Sequence, residues 1–264
     1  MTSERKLTRE VIIQALVDAL KPLEYIHACW EGGAVALDMV DEWSDIDLYL
    51  VVDNKKVDDT FLAVEKALKL LSPLRQRHGV FEPSPGLFQA FYKLQDASEY
   101  LMVDVAVLKL SRPDKFLETE IHGNPAFYFN KSCEITPYPL QRDAFVKKLQ
   151  RRLVGLQGEF AMFHNLVQKE MNRGHHLEAL DFLHMLLGWL VEVLRIRYSP
   201  LHYDFKMRFI HDELPAEVVK KLERLYFVKD TGDLQKKYDE AVEWFPKIVS
   251  EIDMKKIERL VGAS

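Results

Sequence analysis

Two aspartates, Asp45 and Asp47, lead into an apolar run at residues 48–52. Alternate residues of a β-strand point to the same face of a sheet, so this spacing places both carboxylates on one side of a strand. The apolar residues that follow predict that the strand is buried. A glycine pair, Gly32 and Gly33, precedes the aspartates and predicts a tight turn. The pattern indicates a sheet that carries a metal-dependent site for phosphoryl groups.

A third carboxylate stands alone in a later apolar segment, where Asp104 is flanked by the valines and alanine of residues 101–107. An ionised carboxylate is costly in such a strand unless a cation or a hydrogen-bond donor meets it. Asp104 could complete a metal site or act as general base on an acceptor hydroxyl. A structural alternative is a buried carboxylate satisfied by a backbone amide or an arginine.

The glycine pair, the run Ser44-Asp45-Ile46-Asp47-Leu48 and the later Asp104 together resemble the nucleotidyltransferase superfamily, which is DNA polymerase beta-like in fold. Its small members include the aminoglycoside and lincosamide nucleotidyltransferases. The resemblance implies Mg²⁺-dependent transfer of a nucleoside monophosphate, with AMP from ATP as the expected donor reaction. The acceptor would be a hydroxyl of a small molecule, such as an aminoglycoside-like compound, and pyrophosphate would leave.

The resemblance also implies roles for individual residues. Asp45, Asp47 and Asp104 are the predicted catalytic residues and metal ligands, and the predicted contacts to the nucleoside triphosphate come from Gly32, Gly33, Ser44 and Lys206. The family usually has serine after the glycine pair, then arginine and glycine. At those places this chain has Ala34, Leu37 and Asp38.

Several other interpretations stay open. The same chemistry could modify a protein or an RNA end, and the departures at Ala34, Leu37 and Asp38 also fit a degenerate member that binds a nucleotide or a partner without catalysis. Taken separately, a Ser-Asp-x-Asp run can be a helix cap or a surface loop, and a glycine pair can be a simple turn.

Composition narrows the class of protein. A formal net charge of -5 and a pI near 6.0 argue against extended nucleic-acid binding, which needs a basic surface. No apolar run approaches the roughly 20 residues that span a bilayer, and the first residues do not resemble an export signal, so we expect no membrane partner and a cytoplasmic location. Cys29 and Cys133 lie far apart, which favours reduced thiols over a zinc site or a disulfide. The oligomeric state is left open.

The first half of the chain mixes strand and helix patterns. The spacing predicts a helix at 11–20, a strand at 25–30, the strand at 48–52 and an amphipathic helix at 57–71. Runs at 87–94 and 100–108 predict a hairpin with a five-residue loop that forms an antiparallel sheet edge. Residues 111–139 show no clear period and predict a domain junction.

The second half is predicted to be helical. Apolar stripes indicate long helices at 145–167 and 180–194, a further helix after Pro215, and a last one at 234–260 that is kinked or split at Pro246. The predicted fold class is therefore α+β: a nucleotidyltransferase domain with a mixed sheet at 1–125, followed by an all-α bundle at 126–264 that binds the acceptor.

Overall fold

A computed structural model describes residues 7–132 and 134–262. The chain divides into two compact units, which we call the sheet unit (residues 1–139) and the helical unit (residues 140–264). The described part of the sheet unit contains a six-stranded mixed sheet with flanking helices, and that of the helical unit is built from helices. The predicted α+β fold class is confirmed.

Six strands of the sheet unit pair in the order β3-β4-β5-β2-β1-β6, and β2 and β5 run parallel while the other neighbours run antiparallel. The elements are α1 (Arg9–Leu20), β1 (Ile26–Glu31), α2 (Gly33–Ala36), β2 (Ile46–Val52), α3 (Val57–Leu71), β3 (Leu74–Ser84), β4 (Leu87–Leu94), β5 (Val103–Lys109), α4 (Thr119–His122) and β6 (Ala126–Asn130).

The two faces of the sheet are covered differently. Apolar residues of α1 and α3, such as Leu16 and Val64, pack with Leu48 of β2 on one face. On the other face, Val51 of β2 and Trp30 of β1 belong to a smaller cluster with residues of the segment that follows β5. This second face carries Asp47, because Asp47 and Val51 are both odd-numbered positions of the same strand.

The predicted hairpin is confirmed, but its place in the sheet is not the edge. β4 and β5 pair antiparallel, β5 begins at Val103 so that the loop is longer than predicted, and β5 continues the sheet by pairing with β2. The edge strand on this side of the sheet is β3, which the sequence pattern did not predict. β3 is largely exposed and pairs with a neighbour on one side alone. Such a strand does not need alternating apolar and polar residues, because neither of its faces has to be buried.

The sheet unit extends past the domain boundary predicted between residues 125 and 126. β6 begins at Ala126 and pairs with β1, so the strand belongs to the sheet and the unit ends at Pro139. The prolines, glycine and asparagines around this short strand hide its period in the sequence. Cys29 in β1 is buried with a free thiol, as predicted, and Cys133 lies outside the described residues.

Eight helical segments make up the helical unit as described: α5 (Arg142–Phe163), α6 (Leu166–Arg173), α7 (His176–Tyr198), a 3-10 helix (Pro200–His202), α8 (Ile210–Glu213), α9 (Ala216–Tyr226), α10 (Thr231–Ser250) and α11 (Met254–Gly262). α7 is its central helix and contacts α5, α6, α9 and α10. None of the helices in the described residues is both long enough and apolar enough to cross a membrane.

Two of the helices predicted from the sequence are each two helices in the structure, and neither division lies at Pro246, where a kink or split was predicted. The stripe at 145–167 spans α5 and α6, which separate at His164 and Asn165. Pro246 lies inside α10, and the break comes later, where the Asp253 carboxylate accepts a hydrogen bond from the Lys255 amide at 2.9 Å. An aspartate that satisfies a free amide in this way starts a new helix, which explains the position of the break.

Candidate active site

Asp47 and Asp104 lie side by side on the two parallel strands. They are register partners in the ladder between β2 and β5, so their side chains leave the same face of the sheet from strands about 4.8 Å apart. Both are half-buried, in contrast to the buried valines beside Asp104 in β5. Asp104, which stands alone in its apolar segment of the sequence, and Asp47, one of the two closely spaced aspartates, are thus neighbours in the sheet.

Gln89 of β4 holds Asp104 from the other side. Its side-chain amide donates to both oxygens of Asp104, at 2.8 and 2.7 Å. A neutral donor that reaches both oxygens fixes the plane of the carboxylate. The sequence analysis missed Gln89, although an amide inside an otherwise apolar strand is a signal of the same kind as Asp104 itself.

Asp45 has a structural contact of its own. Its Oδ1 accepts a hydrogen bond from the backbone N–H of Met102 at 3.0 Å, and the next residue, Ile46, donates its N–H to the Met102 carbonyl at 2.9 Å. Asp45 therefore starts the parallel ladder that aligns Asp47 with Asp104. Its predicted role as a metal ligand would fall to the second oxygen, Oδ2.

The glycine pair is required by how closely β2 side chains approach it. Gly33 adopts a left-handed conformation with φ of 55°, and a Cβ at this position would lie 1.8 Å from Oδ2 of Asp47. A Cβ on Gly32 would lie 2.7 Å from the Tyr49 ring. The N–H of Gly32 already donates to the Asp47 carbonyl at 3.0 Å. That amide is engaged in the fold, so the predicted phosphate contact of the pair would rest on Gly33.

Between the glycine pair and Asp45, the loop is held by its own contacts. Asp38 has φ of 58°, the left-handed conformation that glycine adopts without strain and aspartate tolerates. The backbone at Asp38 thus has the shape of the glycine that the resemblance leads one to expect at this place. The Ser44 hydroxyl donates to the Asp41 carboxylate at 2.8 Å and closes a local turn. Its predicted contact with the nucleotide stays a prediction.

A buried ion pair anchors the same loop from the opposite face of the sheet. The Arg9 guanidinium pairs with Glu31 and donates to the carbonyl oxygens of Ser44, at 3.1 Å, and Asp45. Glu31 also accepts the Tyr128 hydroxyl at 2.5 Å, and burial together with this hydrogen bond raises the pKa of Tyr128. Arg9 and Glu31 are far apart in sequence, so no local pattern could have revealed this anchor.

Aromatic rings stand next to the carboxylates on the same face. Tyr49, two residues after Asp47, stacks on Trp30 with ring centroids 5.4 Å apart and planes 9° apart. Phe116, from the segment after β5, lies 6.1 Å from Tyr49 and meets His122 edge to face at 5.5 Å. Phe116 and His122 of the predicted junction segment therefore join Tyr49 and Trp30 in one aromatic cluster on the face that carries Asp47.

No family model matches the chain, and no curated protein is significantly similar to it. Solved structures do resemble it: an aminoglycoside 6-adenyltransferase from Bacillus subtilis is 15% identical, with 98% of this chain and 100% of that chain covered and a TM-score of 0.35. A protein from H. pylori provisionally named a nucleotidyltransferase is 16% identical, with 96% and 99% covered and a TM-score of 0.28. The identities and TM-scores are low, and the candidate site rests on its own geometry.

The chemistry of the paired carboxylates suits Mg²⁺. In the described residues no group of three His, Cys, Asp or Glu side chains is clustered as a complete metal site. Mg²⁺ in nucleotide sites usually takes one or two carboxylates and completes its shell with phosphate oxygens and waters. Asp47 and Asp104 are such a pair, and the role predicted for Asp45 as a third ligand stays a prediction.

Lys206 belongs to the helical unit. It lies in the loop between α7 and α8, is exposed, and has a left-handed backbone with φ of 53°. Its predicted contact with a triphosphate stays a prediction. Glu178 and Asp181 of α7 are exposed to solvent, as carboxylates on a helix usually are.

Proposed function

We propose that the chain is a Mg²⁺-dependent nucleotidyltransferase that moves a nucleoside monophosphate, with AMP from ATP as the first candidate, to a hydroxyl of a small-molecule acceptor. The observation that carries the proposal is the pairing of Asp47 with Asp104 on one sheet face, directly over Gly33. Two carboxylates on rigid parallel strands are the arrangement that a phosphoryl-transfer site needs.

The reaction forms a bond between the acceptor oxygen and the α-phosphorus and breaks the bond from that phosphorus to the bridging oxygen, so that pyrophosphate leaves. Bound Mg²⁺ would neutralise charge on the phosphate oxygens. Asp47 would be a metal ligand. Asp104, which Gln89 holds in a fixed plane, would be a second ligand or would accept the proton of the acceptor hydroxyl.

We assign acceptor binding to the helical unit, following the resemblance to the small antibiotic-modifying enzymes. An aminoglycoside-like compound is the first acceptor to test, and protein and RNA acceptors are the alternatives. A cytoplasmic location would place the protein with such substrates and with ATP.

The test is calorimetric titration of a non-hydrolysable ATP analogue, with and without Mg²⁺, followed by pyrophosphate release assays over an acceptor panel. We expect metal-dependent binding in the wild type and its loss in Asp47→Asn and Asp104→Asn, by about 100-fold or more. Asp53→Asn is the matched control, because Asp53 follows the far end of β2 and pairs there with His27. Unchanged binding in Asp47→Asn would reject the site.

A second candidate is nucleotide or partner binding without catalysis. Two observations favour it: the Gly32 amide is already bonded to the Asp47 carbonyl, and the Ser44 hydroxyl is bonded to Asp41. Both groups were predicted to contact the nucleotide. Metal-dependent binding with no pyrophosphate release for any acceptor would support this candidate over the transferase.

A further inference from the structure

The helical unit contains a cavity that the proposed active site does not use. It has a volume of about 540 Å³ and is lined by α7, by the loop at residues 199–209, by one side chain of α5 and by one of α9. All lining residues belong to the helical unit. Small-molecule sites in proteins commonly measure about 300–1,000 Å³, so the cavity has the size of a binding site.

An exposed glycine lines the cavity on the α7 side. Gly188 lies in the middle of this long helix, and a Cβ at this position would meet nothing within 4 Å. Packing therefore does not require glycine, although glycine inside a helix destabilises it by roughly 0.5–1 kcal/mol relative to alanine. The missing side chain leaves room beside Trp189, which also lines the cavity.

The opposite wall is a loop that a buried arginine holds in place. Arg195 is fully buried, donates from Nε to the Lys206 carbonyl at 2.7 Å and from Nη2 to the Arg208 carbonyl, and pairs through Nη1 with Glu213 at 2.5 Å. Lys206 and Phe209 both have positive φ, at 53° and 55°. Non-glycine residues in this conformation persist where the surroundings fix them, and they concentrate at binding sites.

The side chains that line the cavity are mainly aromatic and apolar. Trp189, Tyr203 and Tyr226 contribute rings, and Met207 contributes a flexible thioether. The Tyr226 hydroxyl is neutral at physiological pH, and burial raises its pKa further, to about 12.

Charges at the cavity compensate one another. Arg152 is held by both oxygens of Glu192, at 2.6 and 2.7 Å, and by Glu159 at 2.7 Å. The remaining charged lining residues, Asp204 and Lys206, are exposed and opposite in sign. A lining without net charge is a poor match for a triphosphate or a polycation.

We propose that this cavity is a binding site for a planar, uncharged aromatic small molecule, which stacks on Trp189 and enters the space left by Gly188. The proposal does not rest on the proposed transferase reaction, because no observation that carries it involves Asp47 or Asp104; of the residues predicted to contact the nucleotide, Lys206 lines the cavity.

The test is a fluorescence titration of the full chain with N-phenyl-1-naphthylamine, a neutral aromatic probe. We expect saturable binding of one probe per chain, weakened at least about tenfold in Gly188→Phe, whose ring would occupy the cavity. Gly158→Phe is the matched control: Gly158 is a helix residue of α5, a Cβ there also meets nothing within 4 Å, and it does not line the cavity. Gly188→Ala should bind like the wild type and shows that the position tolerates a side chain.

Three outcomes overturn the proposal. The first is equal binding by Gly188→Phe and Gly158→Phe, with circular dichroism showing both to be folded. The second is the absence of saturable binding to the wild type. The third is displacement of the probe by spermine or ATP, which would mean that the cavity prefers charged ligands. All three outcomes are measurements of probe binding. A loss of nucleotide binding in Asp47→Asn, which would concern the sheet unit, is therefore distinguishable from each of them.

Discussion

In each unit an arginine paired with a glutamate fixes a loop beside the candidate site, but the two sites are built from different kinds of element. In the sheet unit Arg9 pairs with Glu31 and pins the carbonyls of Ser44 and Asp45. In the helical unit Arg195 pairs with Glu213 and pins the carbonyls of a loop beside the cavity. The aspartates of the first site come from regular strands, whereas one wall of the cavity comes from an irregular loop. The alternation of residues in a strand can be recognised in a sequence, whereas a loop fixed by a distant arginine cannot.

The largest effect is expected when the deeper of the two anchors is removed. Arg195→Met leaves Glu213 and two carbonyl oxygens without their buried partner, and breaking a buried ion pair in this way costs about 3–5 kcal/mol of the free energy of unfolding. Urea denaturation of the full chain measures it. Arg197→Met is the control, since Arg197 pairs with Glu251 at the surface and should contribute under about 1 kcal/mol. Equal losses in the two variants would contradict the anchor role.

Arg9→Met tests the corresponding anchor of the sheet unit. We expect a loss of about 2–4 kcal/mol, somewhat smaller because the Arg9 side chain is 15% exposed. The double variant Arg9→Met/Glu31→Leu should recover part of the loss, because no unpaired carboxylate then remains buried. A double variant as unstable as the sum of the two single ones would argue against their coupling.

Gly33→Ala tests whether close approach to Asp47 explains the glycine. Its cost combines left-handed strain with a clash against Oδ2 of Asp47, and we expect about 2–3 kcal/mol together with weaker metal-dependent nucleotide binding. Gly174→Ala provides the comparison, because Gly174 has φ of 74° and an added Cβ would meet nothing within 4 Å. It should show the strain alone, about 1 kcal/mol, with nucleotide binding unchanged. Equal losses of stability in Gly33→Ala and Gly174→Ala, with equal nucleotide binding, would contradict the steric explanation.

The smallest effect concerns alkaline pH. Burial raises the pKa of Tyr226 from 10.0 to about 12, so the unfolded chain loses this proton at lower pH than the folded chain does. The contribution of Tyr226 to stability is complete below pH 10 and is lost as the pH rises towards about 12. Tyr226→Phe should flatten this decline by under about 1 kcal/mol, because the ring is only partly buried. Urea denaturation over this pH range measures the decline, and a decline as steep in Tyr226→Phe as in the wild type would contradict the contribution of Tyr226.

Much of the sheet unit follows from local patterns. The helix predicted at 57–71 is α3, and the strand predicted after Asp47 is β2. These elements bury one face, and burial imposes a period that can be read from the sequence. β3 escaped prediction because an exposed edge strand carries no such period. The break before α11 escaped because it depends on Asp253 as a cap and not on Pro246.

The sequence by itself determined that Asp47 lies in a buried strand, that Asp104 needs a partner, and that the second half is helical, whereas Asp45, predicted to share a strand face with Asp47, precedes β2. Alternation along a strand and the cost of burying a charge are local rules, which is why these inferences needed no coordinates. Only the tertiary structure decided that Asp104 stands in register with Asp47, that Gln89 holds it, and that Arg195 shapes a cavity. Register and long-range hydrogen bonds join residues far apart in the chain, and their geometry exists only once the elements have packed.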